Sequence, residues 1–295
     1  MIPVLFVVTI LVFSIIRFIP GEPARLILGE KATEEAVAAL TEKLGLNEPL
    51  LTQYLLFLKQ IFTLDFGNSF TYQMPVSELL ASRFPVTLMS TVISLVISLP
   101  LGYFAGVHKD RLGDQVVRTT SLVAISMPSF WVGLLLMIVF ALKLKWLPAG
   151  GWSDTLLGQF RCLILPAVTQ SLMTSALLLR NTRNSVVDIT RMDYVDFARS
   201  KGITSGEVRT RHVMRNAMIS TVTLLSMRMA AMLGGSVIIE TVFSVPGIGK
   251  LASDAIFGRD YAVVQYVVLL FAVLVLVINL ITDILYSFLD PRVNL

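Results

Sequence analysis

Few residues in this chain are of types that do chemistry, and their spacing removes most of the options. Gly247-Ile248-Gly249-Lys250 comes nearest to a phosphate-cradling loop. Such a loop needs glycine at 244 and serine or threonine at 251. The chain has Ser244 and Leu251 there, so the segment reads as a tight turn between two helices. His108 and His212 lie far apart in polar segments, and neither is expected to hold a transported metal. Cys162 is the sole cysteine, which excludes an internal disulfide and a multi-cysteine metal site. A membrane-embedded enzyme would need paired acid–base groups within an apolar run, and none occurs. Arg228 and Asp283 are ionisable groups in apolar runs, with Asn279 on the helical face of Asp283. An ion-coupled secondary transporter would use such groups as relays, usually on an internally repeated frame, and no convincing repeat accompanies them. One stretch stands apart. Met192 to Ala217 is polar and charged in oily surroundings, with Asp196-Phe197-Ala198, three residues, then Gly202. It is expected to form two short helices joined at that glycine.

The elements around these residues belong to a membrane. Of 295 residues, 55% are hydrophobic and 15% charged, against about 25% charged in a soluble domain. The expectation is an all-α membrane protein with one transmembrane domain across residues 1–295. Six apolar runs, at about 3–19, 86–107, 119–142, 163–179, 218–239 and 262–287, are each long enough to cross a bilayer core roughly 30 Å thick. A cleaved signal peptide is the rival reading of the first run. That run lacks a basic leader and a small-residue cleavage site, so it is taken as a span. It starts almost at Met1, which leaves room for a short basic segment upstream. Pro20-Gly21-Glu22-Pro23 stops it.

Residues 20–85 form a polar, amphipathic segment with eight acidic and five basic residues, which suits the outer side. It holds a helix from Thr33 closed by Gly45, a second from Gln53 to Phe62, and a turn-rich close at 64–69. The loop His108-Lys109-Asp110-Arg111 and the segment 180–217 are basic, so they and both termini belong on the cytoplasmic side. The net charge of +4 reflects those loops rather than nucleic-acid binding. Pro100 and Pro128 fall inside spans. Pro128, after Met127, frees a backbone carbonyl, which makes it either a packing kink or part of a translocation path. Residues 240–261 are expected to be an outer loop, and Trp146 and Trp152 suit the membrane interface.

Asp196-Phe197-Ala198-x3-Gly202, followed by Arg211-His212-x2-Arg215-Asn216-Ala217, resembles the coupling motif of ABC-transporter permeases. The likeness is greatest to the branch that imports dipeptides, oligopeptides and nickel. That branch usually begins the motif Glu-Ala-Ala; here Asp196 and Phe197 stand at the first two positions. Its usual Leu-Pro after the motif is Ile219-Ser220, which predicts a less kinked entry of the second helix. Pro20-Gly21-Glu22-Pro23, Asp65-Phe66-Gly67-x-Ser69, Ser126-Met127-Pro128-x-Phe130-Trp131, Glu240-Thr241-x-Phe243-x2-Pro246-Gly247 and Arg259-Asp260-Tyr261 also match, as does Asp290-Pro291-Arg292.

The resemblance implies a type I ABC importer permease fold with a cytoplasmic coupling helix between spans four and five. Tyr194, Val195, Asp196, Phe197, Ala198, Arg199, Lys201 and Gly202 would carry ATPase coupling. Val195 and Ala198, with Phe197, would supply the apolar contact to a groove on a nucleotide-binding subunit. Without the family, the same segment reads as a solvated basic loop. Met127, Pro128, Arg228 and Asn279 are candidates for the translocation path, although helix packing or a subunit contact is the favoured reading of Arg228. Glu240, Pro246 and Gly247 are candidates for contact with a binding protein, or Glu240 ends its helix. The implied partners are a second homologous permease, two ATP-binding subunits and an extracytoplasmic solute-binding protein, in the inner membrane of a bacterium or archaeon. The chain itself would hold no cofactor; ATP and Mg would belong to the ATPase subunits. Peptide is the expected cargo, nickel or a metal chelate the alternative, and a secondary transporter the remoter one.

Overall fold

The computed structural model describes residues 2–18, 23–28, 32–43, 45–107 and 126–289, with positions 115, 119 and 123. Pro20-Gly21-Glu22, the loop from His108 to Arg111, most of the first turns of the third span, and Asp290-Pro291-Arg292 lie outside the described residues. Among the described residues regular structure is helical, apart from one bridge between Asn68 and Pro75. In chain order the helices are α1 (Ile2–Phe18), α2 (Pro23–Leu28), α3 (Glu34–Lys43), α4 (Leu50–Thr63) and α5 (Val76–Val107). Then come α6 (Ser129–Leu136, extended by π-turns Met137–Lys143), α7 (Leu156–Thr190), α8 (Asp193–Ser200) and α9 (Ser205–Glu207). After π-turns Val208–Met214, α10 (Arg215–Val242), α11 (Ile248–Phe257) and α12 (Tyr261–Leu289) complete the chain. Stretches of α5, α7 and α12 are long and apolar enough to cross a membrane, and α1 and α6 contain shorter apolar helices.

Helices overrun the apolar runs at several ends. α5 begins at Val76 rather than at 86, and α7 spans 156–190 rather than 163–179. The first residues of the charged segment, from Arg180, therefore continue a membrane helix. Hydropathy marks where apolar side chains stop, whereas backbone hydrogen bonding stops only at a capping signal. For α7 the starting signal is Thr155, whose hydroxyl accepts from the Gly158 N–H at 3.1 Å. The expected outer loop at 240–261 is also mostly helix. Ile248, Leu251, Ala252 and Ala255 are all buried, an i, i+3, i+4, i+7 stripe that makes α11 amphipathic.

The chain divides into two compact units, residues 1–87 with 246–276 and residues 88–245 with 277–295. The core of the first unit includes Val12, Phe13, Phe57, Val76, Leu79, Ile248, Leu251, Val263 and Tyr266. An aromatic series runs through it. Phe13 meets Tyr54 edge-on at 5.2 Å between centroids, and Phe66 stacks on Tyr266 at 4.3 Å. Thr87 accepts from the Ile248 N–H at 2.8 Å, which satisfies an orphan donor at the start of α11. Asp260 caps α12 through Val263 N–H at 3.3 Å, and also accepts from Thr71 N–H at 3.0 Å and from the Ser69 hydroxyl at 2.5 Å. Tyr72 donates to Asp254 at 3.4 Å; burial, then that carboxylate, push its phenol above the ordinary tyrosine value.

In the second unit α7 packs on α6 and α10. The α7–α10 seam is sealed by small hydroxyls: Thr182 with Thr221 at 3.0 Å and Ser185 with Ser220 at 2.5 Å. Such residues let helices approach and pair across an apolar medium. Phe243, buried at the end of α10, lies where Gly133 of α6 leaves room for its ring. The Gly150-Gly151 turn clasps the same point, with Gly151 N–H donating to the Phe243 carbonyl at 2.9 Å. A Cβ at Gly150 would run into that carbonyl oxygen and its carbon, which are backbone atoms. Gly150→Ala is expected to cost about 2 kcal/mol or more, read as a fall in the thermal midpoint of the detergent-solubilised chain. An unchanged midpoint would mean that the turn does not clasp α10.

Candidate functional site

The segment after α7 is built to present one face of a short helix. α7 ends at Thr190 with Arg191 as its cap, and α8 begins two residues later at Asp193. Asp193 and Asp196 sit in its first turn and Arg199 in its last, the order that a helix dipole favours. Asp196 accepts from Arg199 at 2.9 Å, one turn along. Val195, with no exposed surface, and Ala198 face inward onto Ile189, Val208, Val213 and Ala217. Gly202, at φ +81°, turns the chain out of α8. A Cβ there would meet nothing within 4 Å, so glycine is set by the left-handed backbone and not by crowding. Thr204 then caps α9, accepting from Glu207 N–H at 3.4 Å. The expected pair of helices joined at Gly202 is present, and the second runs on through π-turns into α10.

This geometry corrects the assignment of the apolar contact. Val195 and Ala198 are consumed in fixing α8 to its own chain and are not available to a partner. Phe197 is 61% exposed and Tyr194 39%. The ammonium of Lys201 lies 4.6 Å from the centre of the Phe197 ring. The Tyr194 hydroxyl is held by Asn216, whose side-chain amide donates to it at 2.9 Å. The outward face of α8 is therefore two aromatic rings with Lys201 against one of them, and the exposed Asp196–Arg199 pair beside them.

A second feature lies between α6, α7 and α10. A cavity of about 290 Å³ is lined by Ser129, Gln170, Met173, Thr174, Leu177, Arg228, Ala231, Met232 and Ile239. Gln170 is locked in place, donating to the Met232 carbonyl at 3.1 Å and accepting from Ser94 at 3.1 Å. Of the predicted path residues, Arg228 reaches this cavity. Met127 and Pro128 stop just short of it, before Ser129, and Asn279 is exposed on α12. Gln170, Met173, Thr174 and Met232 were not anticipated; Gln170 and Thr174, one turn apart in an apolar helix, were the available signal.

The predicted outer contacts fare differently. Glu240 is 1% exposed and Gly247 is buried, so neither offers its surface to a partner; Pro246 is half-buried. Glu240 lies within α10 rather than in a loop, and Gly247 caps α11. The same cap explains the failed phosphate loop: Gly247–Lys250 opens a helix, and Lys250 pairs with Asp254 at 2.7 Å. The exposed apolar residues at the end of α11 are Ile256 and Phe257, 60% and 86% exposed.

Comparison with known proteins identifies the family and the fold. Residues 98–295 match the family described as binding-protein-dependent transport system inner membrane component, and residues 1–91 match its N-terminal companion. A putative peptide transport system permease protein of Brucella suis is 38% identical over 99% of this chain and 96% of its own length. A glutathione transport system permease protein of Salmonella choleraesuis is also 38% identical, over 100% of this chain and 96% of its own. The inward-facing MetNI methionine ABC transporter superposes on 72% of this chain and 96% of its own, with a TM-score of 0.57 at 17% identity. An amino acid ABC transporter with histidines gives 0.55 at 16% identity, over 72% of this chain and 94% of its own. The chain belongs to the family of binding-protein-dependent transport system inner membrane components, the permease subunits of ABC importers.

Proposed function

We propose that this permease passes peptides across the inner membrane, driven through α8 by a separate ATPase. The observation that carries the coupling half is the split face of α8: Val195 and Ala198 bolt the helix to the chain, and Tyr194 and Phe197 stand outward. A helix anchored this way moves as one body with α7 and α10. Force applied to the aromatic face is then transmitted to the helices that wall the cavity. Asp196, Arg199 and Lys201 frame the contact, and Gly202 gives the sharp turn that keeps α8 across the membrane surface. Peptide as cargo is supported by relatives named for peptide and glutathione transport that match nearly the whole chain.

In this reading the chain crosses the membrane six times, through α1, α5, a third span ending in α6, α7, α10 and α12, with both termini cytoplasmic. A second permease completes the path. Two ATP-binding subunits hold ATP and Mg, and an extracytoplasmic binding protein delivers cargo. ATP binding closes the ATPase pair, α8 moves with it, and the cavity opens outward. Hydrolysis returns it inward.

The test is uptake of a radiolabelled tripeptide mixture into vesicles holding both permeases and the ATPases, with binding protein on the delivery side. Uptake is expected only with ATP on the ATPase side. Uptake that persists without the ATPases and collapses with an ion gradient would overturn the importer mechanism. ATP-driven uptake of nickel in place of peptide would overturn the cargo.

A further inference from the structure

The cavity between α6, α7 and α10 has a composition that packing alone does not require. Its wall is mostly apolar and holds two methionines, Met173 and Met232, whose flexible side chains suit varied occupants. Among the described residues its single charge is Arg228, and no acidic residue lines it. Among the described residues no hydrogen bond or ion pair reaches the Arg228 guanidinium. An unpaired guanidinium within a membrane helix is costly unless water or an anion meets it. The wall also holds the polar side chains of Gln170 and Thr174, and Gln170 is already committed to Met232 and Ser94. Thr174 donates to the Gln170 carbonyl at 3.1 Å. Neither can serve as the counter-charge. Ser129, the first residue of α6, adds a hydroxyl at the end of a helix that has no side-chain cap.

We infer that this cavity is a transient site for a carboxylate-bearing peptide, in which Arg228 receives the free C-terminal carboxylate. The planar guanidinium matches a carboxylate with two parallel hydrogen bonds. The methionine-lined remainder accepts side chains of differing shape, so the site reads the one group that all unmodified linear peptides share. A volume of about 290 Å³ fits the end of a peptide rather than its whole length. The inference rests on the peptide reading above and adds to it the group recognised and the residue that recognises it.

The experiment uses the complete importer in vesicles, with trialanine and trialanine amide as probes. Uptake of each is measured for the wild type, Arg228→Gln and Arg228→Lys, in phosphatidylcholine alone and with anionic lipid added. The acid-to-amide uptake ratio cancels whatever preference the binding protein has, because that protein is the same throughout. The ratio is expected to fall about tenfold in Arg228→Gln, the loss of one charge-assisted contact, and to be largely kept in Arg228→Lys. An equal loss for acid and amide would assign Arg228 to packing or to the second permease and overturn the inference. A defect that appears only with anionic lipid would assign the guanidinium to a lipid phosphate and also overturn it. Should Arg228→Gln fail to assemble, loss of the ratio in Arg228→Lys would overturn it equally. Absence of all peptide uptake by the wild type would instead fell the peptide reading, and the inference with it.

Discussion

Phe197→Ala is expected to weaken binding of the ATPase subunits to the permease by about thirtyfold, and to lower peptide-stimulated ATP hydrolysis with it. The size follows from what the ring is. An aromatic anchor that is exposed alone and covered in a complex is worth about 2 kcal/mol or more when truncated. Phe197 is 61% exposed and contributes nothing to the cluster under α8, so its loss leaves the helix folded. Lys201 loses the ring beneath its ammonium, an exposed contact worth little by itself. Val195→Asp is the contrasting variant. It places a charge where no solvent reaches, against Ile189, Val208 and Ala217, and is expected to undock α8 altogether. Titrating the ATPase onto nanodisc-embedded permease separates the two, because limited proteolysis near Gly202 should rise for Val195→Asp and stay unchanged for Phe197→Ala. Reversing Asp196 should matter less than Phe197, since its pair with Arg199 is largely in water. If Phe197→Ala bound and activated the ATPase normally, the docking face would have to lie elsewhere on the chain.

That assignment marks where the sequence was readable and where it was not. The turn at Gly202 was legible because a glycine between two polar helical stretches has few other uses. The facing of α8 was legible in principle. At about 100° per residue, Val195 and Ala198 share a face and Phe197 points away from it. Three apolar residues in four positions were nonetheless grouped together, and only the partners at Ile189, Val208 and Val213 separate them. α11 was hidden by its glycine-rich start, although its buried stripe has helical spacing. Beyond Arg228 the cavity was legible only as Gln170 and Thr174, one turn apart in an apolar helix. Gln170, Met173 and Met232 come from two helices, and nothing in a single sequence states which turns of those helices meet. The overrun of α7 past Arg180 has the same origin: hydropathy reports the bilayer, and the helix follows its own hydrogen bonds.

Asp260 carries the last and largest stability prediction, and it joins two motifs that the sequence kept far apart. Ser69 closes the Asp65-Phe66-Gly67 turn, and Asp260 opens α12. The carboxylate is 1% exposed and accepts from Ser69 hydroxyl, Thr71 N–H and Val263 N–H. Asp260→Ala takes the acceptor from all three donors at once, and Ser69 and Val263 are buried where no water replaces it. The expected cost is about 3–5 kcal/mol, the range for breaking a buried charged network by deleting one partner. Asp260→Asn keeps one oxygen, enough for the Val263 cap, and should cost roughly half as much. Ser69→Ala should fall between wild type and Asp260→Asn, although it also strips the acceptor from Tyr72 N–H. Thermal unfolding of the detergent-solubilised chain orders the series. The decisive measurement is the double variant, Ser69→Ala with Asp260→Ala. Residues in one network are non-additive, so it should be less stable than Asp260→Ala only by the lost Tyr72 N–H contact, well short of the sum of the two single losses. Full additivity would mean that the turn and α12 are held by something other than this carboxylate.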